Sequence, residues 1–146
     1  MTDSDLLDAL RRGPRLSFAD GPVGKVPSAP GVYAVWEGPA LLYVGMSGTL
    51  PSRLRAHASG RRSGDQFCVY VADRLVLPEL TAAEVVAVGA GELSLDALTR
   101  SYVRERLTVS VAVTASGEAA RRVERMGRAG GLDVGPPLLN PIARAA

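Results

Sequence analysis

The sequence predicts an α+β fold: a small antiparallel β-sheet, made of a hairpin and a later strand, flanked by helices. Three observations carry this. Gly31-Val-Tyr-Ala-Val-Trp36 and Leu41-Leu-Tyr-Val-Gly45 are β-rich runs separated by Glu37-Gly-Pro-Ala40, a hairpin signature. Leu107–Val113 alternates apolar and polar residues, as a strand with one buried face does. Between and around these runs lie segments of helical period that open on Ser or Thr.

In chain order, residues 4–12 read as a short helix with Ser4 as N-cap and Leu6, Leu7 and Leu10 on one side, stopped by Gly13-Pro14. A loop rich in Gly and Pro leads to Pro30 and the hairpin. A helix begins at Thr49-Leu-Pro51, where proline is tolerated in the first turn, and runs to Gly60. Gln66–Val71 has the β-branched and aromatic content of a strand. Thr81-Ala-Ala-Glu84 is a capping box opening a helix toward Gly89, and Ser94 caps another with Leu95, Leu98 and Tyr102 on one face. Ser116 caps a helix over 117–128, with Ala119, Val123 and Met126 at core spacing. Gly130-Gly131 ends it, and the tail 135–141 is extended and fixed by prolines.

The chain has 146 residues, 47% hydrophobic and 22% charged, which suits one domain with a real core. No apolar run approaches the roughly 20 residues that cross a bilayer, so no membrane partner is expected. Met1–Leu10 carries three aspartates and no basic stretch, unlike a secretory signal. With one cysteine, Cys68, no internal disulfide forms, and its place in an apolar run fits a small buried hydrophobe; a cytoplasmic protein is the expectation. The net charge is +2, and the basic residues are sixteen arginines and Lys25 alone. Arginine's planar fork suits bidentate phosphate contacts, although a general compositional bias accounts for the count equally well.

Chemistry concentrates in the hairpin and the helix after it. Nine residues separate Tyr33 from Tyr43, nine more separate Tyr43 from Arg53, and His57 follows at i+4. Strand side chains alternate faces, so the tyrosines meet only in the right register. A three-residue loop, Gly38–Ala40, sets Tyr43 on the face of Tyr33; a two-residue loop does not. Arg53 and His57 share one helix face. Taken singly, each has a plain structural explanation: strand tyrosines pack, Glu124 sits among four arginines, and Asn140 before Pro141 is an ordinary turn residue. Trp36 reads as a core residue. Gly45-Met-Ser-Gly48 is loop-like but lacks the Gly-Lys-Ser/Thr of a nucleotide-binding P-loop.

The order Gly31-Val-Tyr33, Tyr43-Val-Gly45, Arg53, His57 resembles the GIY-YIG nuclease superfamily, and the strand 107–113, the helix carrying Glu124 and the closing Leu-Leu-Asn140 keep to that order. The resemblance covers residues 27–60 and 107–141 and leaves about 61–106 as an insertion containing a strand and helices, all within one domain. It implies a divalent-metal-dependent endonuclease that hydrolyses phosphodiester bonds in DNA, with Tyr33, Tyr43, Arg53, His57, Glu124 and Asn140 as the catalytic group. Glu124 is the implied ligand of Mg²⁺ or Mn²⁺, with Glu118 as the alternative. Arg53 is expected to clamp the phosphate, and Tyr33, Tyr43 and His57 are candidates for general base and proton relay. Asn140 is expected to brace the site. Arg55, Arg61, Arg62 and Arg121 are candidate contacts to nucleic acid, and a homodimer is compatible with cutting both strands. The other reading is a non-catalytic nucleic-acid-binding or partner-binding module on the same fold.

Overall fold

The computed structural model describes residues 1–141. Four antiparallel strands form one sheet in the order β1-β4-β2-β3: β1 Leu16–Ser17, β2 Gly31–Glu37, β3 Ala40–Ser47 and β4 Thr108–Val113. The helices are α1 Asp3–Arg12, α2 Leu50–Ala58, α3 Gln66–Val71, α4 Ala82–Gly89, α5 Leu95–Arg106 and α6 Gly117–Met126. The fold is α+β. Among the described residues no helix is long and apolar enough to cross a membrane.

Helices cover both faces of the sheet. Along β2, Val32, Ala34 and Trp36 join Leu6 and Leu10 of α1 and Val123 of α6 in one apolar cluster. Tyr33 and Val35 point the other way, into a cluster with Leu54 of α2, Phe67 of α3 and Val103 of α5. A strand buried on both faces has no polar side to present, so β2 reads as an unbroken apolar run rather than an alternating one. Trp36 is a core residue; its indole N–H donates to Ser110 Oγ at 3.0 Å, and the Arg15 guanidinium lies 3.7 Å from the ring centroid.

The capping box of Thr81 and Glu84 and the serine caps at Ser94 and Ser116 are formed. Other expectations need correcting. Residues 66–71 are helical, not a strand. Asp65 caps them by accepting the Cys68 N–H, and Phe67, Cys68 and Val71 fall on one buried helical face, so packing overrides β-propensity. The chain continues from α3 as wider and then tighter helical turns to Glu79. The first helix is capped by Thr2, not Ser4, because Asp5 returns a bond to the Thr2 N–H and completes a capping box. On α6 the buried residues are Ala120 and Val123, whereas Met126 is exposed. A two-residue strand, β1, lies within the segment expected to be loop.

The closing segment covers the free edge of the sheet. Leu138 and Leu139 donate backbone N–H groups to the carbonyls of Leu41 and Leu42. The side chain of Asn140 then takes the place of a further strand residue: Oδ1 accepts the Val44 N–H at 2.7 Å and Nδ2 donates to the Val44 carbonyl at 3.0 Å. Asn140→Ala leaves both of these buried backbone groups without partners. It is expected to lower stability by about 1–3 kcal/mol, measured by urea unfolding.

Candidate active site

The hairpin turn has two residues, since Glu37 pairs with Ala40, and by itself this would put Tyr43 on the wrong face. A β-bulge restores the phase. Trp36 opposes Leu41 while Val35 opposes Tyr43, so Leu42 is an extra residue, and Leu42 and Tyr43 both face the cluster that holds Tyr33. The tyrosine rings lie 6.3 Å apart between centroids.

The glycines of the two tripeptides have steric roles. A Cβ on Gly45 would collide with the Tyr33 hydroxyl and lie 2.5 Å from its Cζ, so this glycine is the gap across which the Tyr33 side chain lies. A Cβ on Gly31 would fall 2.5 Å from the Ala112 carbonyl oxygen and 2.6 Å from Leu50 Cδ1, at the start of α2. Close seating of α2 against β2 delivers His57, which is 2% exposed, to Tyr33.

A buried hydrogen-bonded chain results. The Tyr33 hydroxyl is 2.6 Å from His57 Nε2, and His57 Nδ1 is 2.7 Å from Asp65 Oδ2. The other Asp65 oxygen accepts the Cys68 N–H at 3.1 Å. Burial pulls the Asp65 carboxyl up, but the bonds from His57 and from the Cys68 N–H, with the charge of Arg53, hold it below its ordinary 3.8. An ionised Asp65 fixes the proton of a neutral ring on Nδ1, leaving Nε2 to accept the Tyr33 hydroxyl. Phe67, 4.4 Å from the imidazole between centroids, and Tyr43 at 6.1 Å pack the ring in place. Burial, followed by the negative charges near it, drives the Tyr33 phenol well above its ordinary 10.0; Tyr43, half-buried, is raised by burial and then by Glu124. Both phenols therefore keep their protons at neutral pH, and the arrangement can pass a proton along Tyr33–His57 beside a fixed negative charge. The Cys68 thiol is pushed up to about 12 by burial and is inert.

The remaining site residues take different stations. Arg53 is exposed on α2, and its charge reaches Tyr33 and Asp65. Glu124 on α6 is partly buried; burial raises its carboxyl, while Arg128, Arg121, the Met46 N–H and Arg125 pull it down. Its charge acts on both tyrosines, whereas Glu118 is exposed and does not figure among the charges acting on them. Asn140 stands behind them on the β3 edge. Asp65 was not foreseen. Its signal was an aspartate directly before an apolar run, an N-cap pattern hidden by reading 66–71 as a strand.

The arginines divide. Arg62 is paired with Asp96 at 2.6 Å, and Arg121 lies beside Glu124. Arg55 and Arg61 line a cavity of about 480 Å³ on a different side of α2, which shares only Asp65 with the hydrogen-bonded chain. Among the described residues no three His, Cys, Asp or Glu side chains gather as a protein cage for a metal. Glu124 is a single hard oxygen donor. That suits Mg²⁺, which commonly takes one or two carboxylates and completes its shell with water and substrate phosphate. Compared with protein-family models, with curated proteins and with solved structures, the chain matches none.

Two outcomes follow from this geometry. Gly45→Ala is expected to displace the Tyr33 ring and cost about 1–3 kcal/mol, read from thermal unfolding and the loss of the Tyr33–His57 contact. A carboxyl held low in the fold stabilises it above the unfolded pKa, and that contribution is lost as pH falls through the folded value. Asp65→Ala is therefore expected to cost about 1.5–3 kcal/mol near neutral pH, and the gap from wild type should narrow below pH 3.8. Urea unfolding across an acid pH series measures it.

Proposed function

We propose that the chain is a divalent-metal-dependent endonuclease that hydrolyses phosphodiester bonds in DNA, as its resemblance to the GIY-YIG pattern implies. The observation that carries this reading is the Tyr33–His57–Asp65 hydrogen-bonded chain, with Tyr43 packed against it and the charges of Arg53 and Glu124 acting on it.

Phosphodiester hydrolysis needs an activated water and stabilisation of charge on the phosphoryl oxygens. Tyr33 is too weak an acid to serve as a standing phenolate. It works as a relay: its oxygen takes a proton from the attacking water while its own proton passes to His57 Nε2. The imidazolium so formed lies against the ionised Asp65, which offsets its charge. Tyr43, half exposed, offers its hydroxyl to the water or to a phosphoryl oxygen. Arg53, exposed on the same helix as His57, clamps the phosphate as negative charge grows. Glu124 would hold Mg²⁺ or Mn²⁺, which when bound orients the phosphate and stabilises charge on its oxygens.

A second reading draws on the burial of Tyr33 and His57, 1% and 2% exposed. A network that only braces the core would look the same, and the chain would then be a non-catalytic nucleic-acid-binding or partner-binding module.

Nicking of supercoiled plasmid separates the two. Wild type is expected to nick with Mg²⁺ or Mn²⁺ and to stop with EDTA. Glu124→Ala and His57→Ala are each expected to cut at least about 10²-fold more slowly, with folding checked by circular dichroism. If folded wild type cuts no DNA of any structure with either metal, the nuclease reading fails and the binding module remains. If Glu124→Ala cuts as fast as wild type, the metal role passes to Glu118.

A further inference from the structure

The 480 Å³ cavity beside α2 is not used by the proposed chemistry. It is lined by Ser52, Arg55 and Ser59 from the α2 side, by Arg61, Ser63 and Gly64 from the following loop, and by Arg100 and Arg104 of α5. Residues 52, 55 and 59 recur at helical spacing, and 100 and 104 are an i, i+4 pair, so two packed helices present their basic stripes to one cleft. The carboxylate in its lining is Asp65, whose two oxygens are already bonded to His57 and to the Cys68 N–H.

The charge here is left uncompensated where it is compensated elsewhere. Ion pairs among the described residues engage Arg11, Arg62, Arg106, Arg122 and Arg128, and none of the four cleft arginines. Asp96, the acid nearest the loop, is spent on Arg62. Arg104 donates Nε–H to the Ala58 carbonyl at 3.0 Å, which fixes its guanidinium at the rim and leaves its terminal nitrogens available. Arg55 has one favourable partner in the carbonyl end of α2, but that end carries only about half a charge. A concave surface with four guanidinium groups and serine hydroxyls concentrates positive potential and supplies donors in the geometry phosphate oxygens accept.

We infer that this cleft binds a backbone phosphate of the nucleic acid, on the strand flanking the bond cut at the Tyr33–His57 site. The identity of the polymer rests on the nuclease reading. Arg53 and Arg55 lie on different faces of one helix. A helix with its side chains is about 10–12 Å across, and a duplex strand advances about 3.4 Å per nucleotide. The flanking phosphate is thus about three nucleotides from the one clamped by Arg53. The inserted segment, which supplies Arg61, Arg100 and Arg104, becomes the part of the chain that sets the path of the strand.

The test is fluorescence anisotropy of the full chain with a labelled DNA oligonucleotide in EDTA, over a series of salt concentrations. Arg55→Ala/Arg100→Ala is expected to bind about tenfold or more weakly, with the salt slope reduced by about two, one for each phosphate contact. Arg12→Ala, which removes the same kind of charge from α1 on the other face of the sheet, is expected to bind as wild type does. Arg100→Glu alone gives the same direction should the double variant fold poorly. Unchanged affinity and slope in the cleft variants overturn the inference and leave the nuclease reading standing. A wild type that binds through the cleft yet cuts nothing with Mg²⁺ or Mn²⁺ sinks the nuclease reading and keeps the cleft as a nucleic-acid contact. A parallel titration follows inorganic pyrophosphate. Pyrophosphate binding that the cleft variants abolish, in a wild type that binds no oligonucleotide, assigns the cleft to free phosphates and overturns the inference.

Discussion

Side chains on a strand change face at every residue, and after its two-residue turn β3 would run one residue out of phase with β2. The bulge at Leu42 corrects this, and most of what is interesting in the molecule hangs on the correction. With it, Tyr43 joins Tyr33, Gly45 passes under the Tyr33 ring and Val44 turns to the opposite apolar cluster. The bulge also falls where the chain returns along the edge, for it is the Leu41 and Leu42 carbonyls that receive Leu138 and Leu139. One surplus residue thus fixes both the tyrosine pair and the dock for the closing segment.

The charges are arranged at two levels. Inside, Asp65 is the carboxylate whose bonds to His57 and the Cys68 N–H outweigh the penalty of burying it, so it remains a fixed negative pole. Further out, Glu124 and Arg53 act across the tyrosines with opposite sign: the acid holds the phenol protons on and the arginine loosens them. An anion arriving beside Arg53 would cancel that loosening, so the two tyrosines would hold their protons most firmly when a phosphate is bound. A relay, in which each oxygen gains one proton as it gives up another, tolerates this; a free phenolate base would not.

Much of this was legible before any coordinates. The strand 107–113, the hairpin and the caps at Thr81, Ser94 and Ser116 are local signals, each complete within a few residues. The juxtaposition of Tyr33 with His57 was legible only as spacing. What escaped depends on partners distant in sequence. Gln66–Val71 carries strand-forming residues and becomes a helix because its apolar face has a pocket beside His57 and its first turn has Asp65 as a cap. The loop length was read as three because three was what the tyrosines needed, whereas the chain meets that need inside the strand. Arg100 and Arg104 look like ordinary solvated helix residues until α5 is packed beside the end of α2.

Both edges of the sheet are shut, by different means. β1 is two residues long and offers little backbone to a newcomer, while the outer edge of β3 is taken by Leu138, Leu139 and the amide of Asn140. Open edges are where folded chains recruit one another into extended sheets and aggregates. A second copy cannot join this molecule by strand addition without first prising off Asn140. Two copies brought together on one duplex would therefore meet through helix surfaces, and their spacing would be set by side chains rather than by a shared backbone ladder.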